Sequence, residues 1–191
     1  LGDVYKRQVA NILSNIPCDN FLAIILFVII GAIVTVIVQS SSAMMAITLM
    51  LFGMNIPGFG FEQAAALAMG QNIGTTITAL MASMTANTQA KRAAFAHMFF
   101  NVFGVLLFLI IFYPTCNITT WVATEIFGES NDLYKLSLFH TAFNIINTVL
   151  LIGFVKQIEM FVCKILPLKE QDEEYRLRYI SVSYTHLTLP T

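Results

Sequence analysis

"VIVQSSSAMM", Val36 to Met45, sets a glutamine and three consecutive serines directly behind some of the most apolar sequence in the chain. Residues 21–38 hold no charged side chain and read as an apolar helix that stops at Gln39. Downstream, residues 43–56 are apolar again, yet at ~1.5 Å per residue they are too short to cross roughly 30 Å of hydrocarbon unaided. Two apolar pieces around a polar break predict a helical hairpin dipping into the membrane, in preference to one long helix unwound at its middle. Irregular backbone at membrane depth persists only where protein buries it or a water-filled cavity meets it. What satisfies Gln39, Ser40, Ser41 and Ser42 therefore decides what the chain does.

The composition around the break places it in a bilayer. Of 191 residues, 57% are hydrophobic and 11% charged, against roughly 25% charged in soluble domains. Uncharged stretches cover residues 20–61, 63–90, 93–124 and 136–155, and several exceed the ~20 residues that a spanning helix needs. A signal peptide would not explain four of them. The expected fold class is an all-α polytopic membrane protein. A net charge of −1 and no basic stripe interleaved with aromatics give no case for nucleic acid as a partner. Cys18, Cys116 and Cys163 lie far apart without C-x-x-C spacing, so neither a zinc site nor a disulfide framework is suggested; they read as small buried apolar residues.

Beyond the hairpin, Asn55, Pro57, Gly58 and Gly60 mark a turn. Residues 61–83 contain the helix-favouring "EQAAALAMG" and then "QNIGTT", where Gly70, Asn72 and Gly74 weaken the helix and Thr75, Thr76 and Thr78 add hydroxyls. A discontinuous helix, long enough to cross, is expected there. A fourth segment, residues 93–113, is introduced by Lys91 and Arg92 and closed by Pro114; the loop that follows, residues 115–131, carries Glu125 and Glu129 but no lysine or arginine. A fifth, residues 133–155, leads to Lys156, Lys164 and a charged tail. The positive-inside rule puts the Lys91-Arg92 loop and the tail in the cytoplasm and the acidic loop outside. Mixed signs over residues 169–178 suit a solvated face or the start of a cytoplasmic helix. The ends, "LGDVYKRQ" and "SVSYTHLTLPT", resemble translated adapter sequence, so residues 1–8 and 181–191 are expected to be non-native and stand outside fold reasoning.

Two polar breaks offer sites for both signs of charge. Helix N-termini inside a membrane present unpaired N–H groups that favour an anion, while carbonyl, amide and hydroxyl oxygens hold a dehydrated sodium ion. A large organic cation would call for an acid or an aromatic cage nearby, and the only acid close to the breaks, Glu62, lies at a segment edge. A small oxyanion with a hard monovalent cation fits better. Plain helix packing is the competing account of the serines; against it, three serines adjoin a glutamine instead of spacing at i and i+4, and a similar break recurs 32 residues on. "HMFFN", His97 to Asn101, and "HTAFN", His140 to Asn144, each place a histidine and an asparagine on one helix face. They read as hydrogen bonding between the fourth and fifth segments, and a proton relay lacks a carboxylate partner there. A serine hydrolase would need a G-x-S-x-G elbow or one favoured nucleophile; the chain has neither, and no enzymatic activity is expected.

"VQSSSA", then "GQNIGTTITAL", "KRAAFAHMFFNVFG" and "FHTAFNIINT" together resemble the sodium/phosphate cotransporter family, in particular its bacterial members, over residues 31–180. The resemblance implies two inverted repeats, each with a QSSS re-entrant hairpin and an associated broken helix, with substrate and sodium bound between them. One copy of each motif is present here, and "AKRAAFAH" with the exit "EEYRLRY" looks most like the second repeat. Residues 9–166 then form the transmembrane repeat and residues 167–180 begin a cytoplasmic helical region. By motif position, Gln39, Ser40, Ser41, Ser42, Asn72, Thr75, Thr76 and Thr78 would line the phosphate and sodium sites. Gln71 departs from the small or acidic residue expected before the asparagine.

The expected function is sodium-coupled transport of inorganic phosphate by alternating access across the cell (inner) membrane, with sodium as coupling ion and no other cofactor. The expected partners are phosphate, sodium, the lipid bilayer and the missing first repeat or a second copy of the chain. The alternative is a non-transporting scaffold or regulatory half-protein of the same fold.

Overall fold

The computed structural model describes residues 20–126, 128 and 131–168. Both expected non-native ends, Cys18, Glu129 and the tail from residue 169 onward lie outside the described residues. Among the described residues the chain is all-helical, with seven α-helices, one short π turn and no strand.

α1, Phe21–Val38, is apolar all round except at Thr35. The hydroxyl of that buried threonine donates to the Gly31 carbonyl at 2.7 Å, so burying it leaves no donor unsatisfied. The helix ends where Gln39 enters the left-handed region, φ 55° and ψ 23°. Ser40 is extended and caps α2, Ser41–Gly53, its hydroxyl accepting the Ala43 N–H at 3.2 Å. Two residues thus end one helix and start the next, a C-cap and an N-cap back to back.

α3, Phe61–Ser83, is a single unbroken helix of 23 residues. This corrects the discontinuity expected at "QNIGTT", and the reason lies in packing. A Cβ on Gly31 would collide with the Leu67 carbonyl; one on Gly70 would strike the Val28 carbonyl, and one on Gly74 the Ala32 carbonyl and the Thr35 side chain. The glycines that lower helix propensity by ~1 kcal/mol each are the ones that let α1 and α3 touch backbone to backbone, as small residues do between membrane helices. The threonine hydroxyls turn inward to their own helix: Thr75 donates to Gln71 O at 2.9 Å, Thr76 to Ile73 O at 2.7 Å and Thr78 to Thr75 O at 2.7 Å.

Asn87 caps α4, Thr88–Ile110, by accepting the Ala90 N–H at 2.9 Å. The chain bends at Ile111 and continues as α5, Phe112–Trp121, then the π turn Val122–Ile126. Pro114 therefore does not close the fourth segment, and much of the loop expected after it is helix. Proline stands in the first turn of α5, where its missing N–H would have no intrahelical partner anyway. α6, Asp132–Ile152, starts on the Asn131 cap; after Gly153 and Phe154 comes α7, Val155–Ile165.

The core joins the helices through aromatic edges. Phe108 meets Phe143 at 4.6 Å, Phe112 meets Phe139 at 6.3 Å, and Phe61 meets Phe139 at 6.0 Å. Ala64, Ala65, Ala66 and Ala68 on α3 are fully buried. Outside, Leu22, Ile33, Ile37, Leu106, Ile110 and Val149 are exposed, an apolar surface that suits lipid. α1, α4 and α6 are long and apolar enough to cross a membrane. The molecule is a multi-pass membrane protein.

Candidate functional site

α2, α3 and α6 converge on a cavity of about 380 Å³. Ser41, Ser42 and Met45 line it from the start of α2, Gln71 and Asn72 from the middle of α3, and His140 and Asn144 from α6. Ser41 and Ser42 are the first two residues of α2, so their backbone N–H groups have no carbonyl to meet within the helix. The capping geometry at Ser40 sets that orientation, because the extended residue turns the chain and spends its hydroxyl on Ala43.

Two side-chain amides tie the walls together. Asn72 Nδ2 donates to Asn144 Oδ1 at 3.2 Å, joining α3 to α6, while Asn144 Nδ2 donates to the His140 carbonyl at 2.8 Å. Gln71 Nε2 donates to Thr48 Oγ1 at 2.8 Å, and that hydroxyl donates onward to Met44 O at 2.9 Å, joining α3 to α2. Gln71 is buried, yet its Oε1 and the Oδ1 of Asn72 accept from no protein group among the described residues. The cavity is thus lined by neutral oxygens and by N–H donors, without an ionised carboxylate, lysine or arginine. Neutral oxygens suit a hard monovalent cation, and a helix start with two hydroxyls suits an oxyanion.

The structure brings together Ser41, Ser42, Asn72, His140 and Asn144 from the residues singled out in the sequence. It does not bring the others to this cavity. Gln39 is exposed at the end of α1, Ser40 is spent as a cap, and Thr75, Thr76 and Thr78 bond to their own helix. His97 lies in a separate cleft beside α7, and Asn101 donates to the His97 carbonyl of its own helix at 3.0 Å. Contact between α4 and α6 runs instead through Gly104, which lies against the amide of Asn147, and through Phe108 and Phe143. Thr48 and Met45 were not among the residues singled out, and Gln71 was noted only as a departure from the residue expected before the asparagine. Gln71 had a legible signal, an amide at membrane depth beside Asn72; Thr48 and Met45 have none that differs from ordinary helix packing.

The profile of the Na+/Pi-cotransporter family matches residues 1–119. The chain is 32% identical over 160 residues to the uncharacterized protein YqeW of Bacillus subtilis (strain 168), covering 84% of this chain and 48% of that protein. It is 37% identical over 117 residues to sodium-dependent phosphate transport protein 2B of Homo sapiens and 33% identical over 117 residues to protein 2A of Rattus norvegicus, each match covering 56% of this chain. Those matches take in 17% and 18% of the mammalian proteins, and the chain spans about half the length of YqeW. No solved structure gives a significant match.

Proposed function

The chain belongs to the Na+/Pi-cotransporter family, and from that premise we propose that the α2–α3–α6 cavity is one half of a site for sodium-coupled transport of inorganic phosphate. The observation that carries this reading is the meeting of the Ser41-Ser42 helix start with the amide oxygens of Gln71 and Asn72 in one uncharged cavity. Phosphate is held by N–H and O–H groups of Ser41 and Ser42; sodium is held by Gln71 Oε1, Asn72 Oδ1 and the serine hydroxyls. His140 and Asn144 close the α6 wall. Gln39 and Ser40 act on the site through the caps they form, and Thr75, Thr76 and Thr78 through the stiffness of α3.

Coupling follows from the lining. With no fixed positive charge in the cavity, a phosphate anion meets only dipoles, and desolvating it there is costly. Sodium supplies the missing charge, so cation occupancy creates the anion site and the empty cavity holds phosphate poorly. In alternating access, the α2–α3 unit exchanges its face relative to α6, and the Asn72–Asn144 bond is the tie that is broken and remade.

The α1–α2 pair enters the membrane as a re-entrant unit with the Gln39–Ser42 turn at its tip, which the 13 residues of α2, about 20 Å of helix, support. Lys91 and Arg92 face the cytoplasm of the cell (inner) membrane. Arg92 Nε donates to Leu166 O at 2.8 Å, a tie that supports a cytoplasmic position for the end of α7. A second inverted unit, from another repeat or another copy, covers the open face of the cavity where Ser42 is exposed.

Uptake of radiolabelled phosphate into proteoliposomes tests this. Reconstitution inserts the chain in both orientations, so inverted pairs form and the initial rate rises with the second power of protein density, in sodium but not in potassium. Uptake unchanged in a Ser41→Ala, Asn72→Leu double variant would overturn the site assignment. Equal rates in the two cations would overturn the coupling.

A further inference from the structure

A second cleft, of about 580 Å³, lies between α4 and α7 and shares no lining residue with the first. Ala96 and Phe100 on α4 and Ile158 and Val162 on α7 make an apolar trough. Two opposite charges line the same trough, Arg92 from α4 and Glu159 from α7. They do not pair: among the described residues the only salt bridge joins Lys135 to Asp132. Arg92 spends its Nε–H on Leu166 O, at 2.8 Å, and this pins the end of α7 against the start of α4. Its two Nη groups and the Glu159 carboxylate have no protein partner among the described residues.

An unpaired cation and an unpaired anion beside an apolar trough describe the complement of a zwitterion with a hydrocarbon tail. The place in the fold agrees. Lys91 and Arg92 lie in the first turns of the spanning helix Thr88–Ile110, where headgroups begin. On α7, Met160, Phe161 and Ile165 are exposed, as is Phe154 just before it, while Lys156, Glu159 and Lys164 share the helix with them, the pattern of a segment lying at the interface. Phe161 also packs on Phe99 of α4 at 5.0 Å, holding α7 beside the span.

We propose that the α4–α7 cleft binds one aminophospholipid. The guanidinium of Arg92 grips the phosphodiester through its Nη donors, the Glu159 carboxylate accepts the primary ammonium, and an acyl chain lies along the Ala96–Phe100 wall. His97, exposed at the rim, donates to a phosphate oxygen. The site is distinct from the proposed transport cavity and stands or falls separately from it.

Native mass spectrometry of the purified chain, released from nanodiscs of equimolar phosphatidylethanolamine, phosphatidylcholine and phosphatidylglycerol, reads the lipid retained. One phosphatidylethanolamine per chain is expected, retained about tenfold over either competitor, the worth of one charge-assisted hydrogen bond. Glu159→Gln removes the negative charge that pairs with the ammonium without touching the Arg92–Leu166 tie, and should abolish that preference while leaving phosphatidylglycerol bound. Arg92→Ala should release all three, with an unchanged helical circular-dichroism spectrum confirming the fold. Equal retention of the three lipids by the wild type overturns the proposal, as does an unchanged preference in Glu159→Gln. Displacement of the lipid by millimolar inorganic phosphate would also overturn it, assigning the Arg92 contact to the free anion.

Discussion

Ser40 and Gln39 do opposite things one peptide apart. Ser40 takes up one of the orphan N–H groups of α2, so Ser40→Ala should cost about 0.5–2 kcal/mol in reversible unfolding followed by circular dichroism in detergent. Gln39 holds a left-handed conformation that side chains disfavour, so Gln39→Gly should be neutral or slightly stabilising in the same assay. A loss on glycine substitution would mean that the Gln39 side chain itself makes a contact that holds the break. Gln71→Leu removes the donor to Thr48 and should cost about 1–3 kcal/mol while also lowering sodium affinity; unaltered sodium affinity would remove Gln71 from the site. At this scale the sequence was legible as a polar cluster and no further. Four polar residues in a row look alike until the backbone angles show that two are caps and two face a cavity.

Helix α3 shows how an element can contradict its own propensities. Gly70→Ala forces a Cβ into the Val28 carbonyl, where backbone cannot step aside, and should cost about 1–3 kcal/mol or more. Gly153→Ala is the matched control: it has φ −67° and nothing within 4 Å of an added Cβ, so it should gain up to about 1 kcal/mol. Thermal unfolding in detergent orders the two, and similar losses at both positions would mean that the α1–α3 contact is looser than drawn. The limits of α1, the shortness of α2, the turn at residues 54–60 and most of α6 were legible, because uncharged length and turn chemistry are local properties. Two readings were not. Glycines in "QNIGTT" looked like helix breakers because their partner, the backbone of α1, is visible only in three dimensions. Pro114 looked like a stop because residues 112 and 113, which begin a new helix in whose first turn proline is harmless, read as the end of the fourth segment.

Across the whole molecule, the apolar exterior and the uncharged cavity divide the polar side chains into those that serve packing and those that face open space. Ser41, Ser42 and Asn72 could be grouped from the motifs, but α6 could not be assigned to the cavity without the tertiary Asn72–Asn144 bond, which joins residues 72 positions apart. In a background lacking the native cysteines, Ser42→Cys should react readily with a water-soluble maleimide. Sodium and phosphate together, at ten times their apparent Kd, should slow that reaction about tenfold, and phosphate in potassium should not. Protection by phosphate without sodium would contradict the order of binding.

The backbone contact between α1 and α3 also has a mechanical meaning. Two helices in such close register along Gly31, Gly70 and Gly74 bend as one beam, since neither can tilt without driving carbonyl oxygens into its neighbour. α2 is joined to that beam by the two residues Gln39 and Ser40 at one end, by the turn after Gly53 at the other and by the Gln71–Thr48 bond between them. Carried with the beam, Ser41 and Ser42 keep their places beside Gln71, and the movement proposed for transport falls at the α6 wall, where the single Asn72–Asn144 bond is the tie.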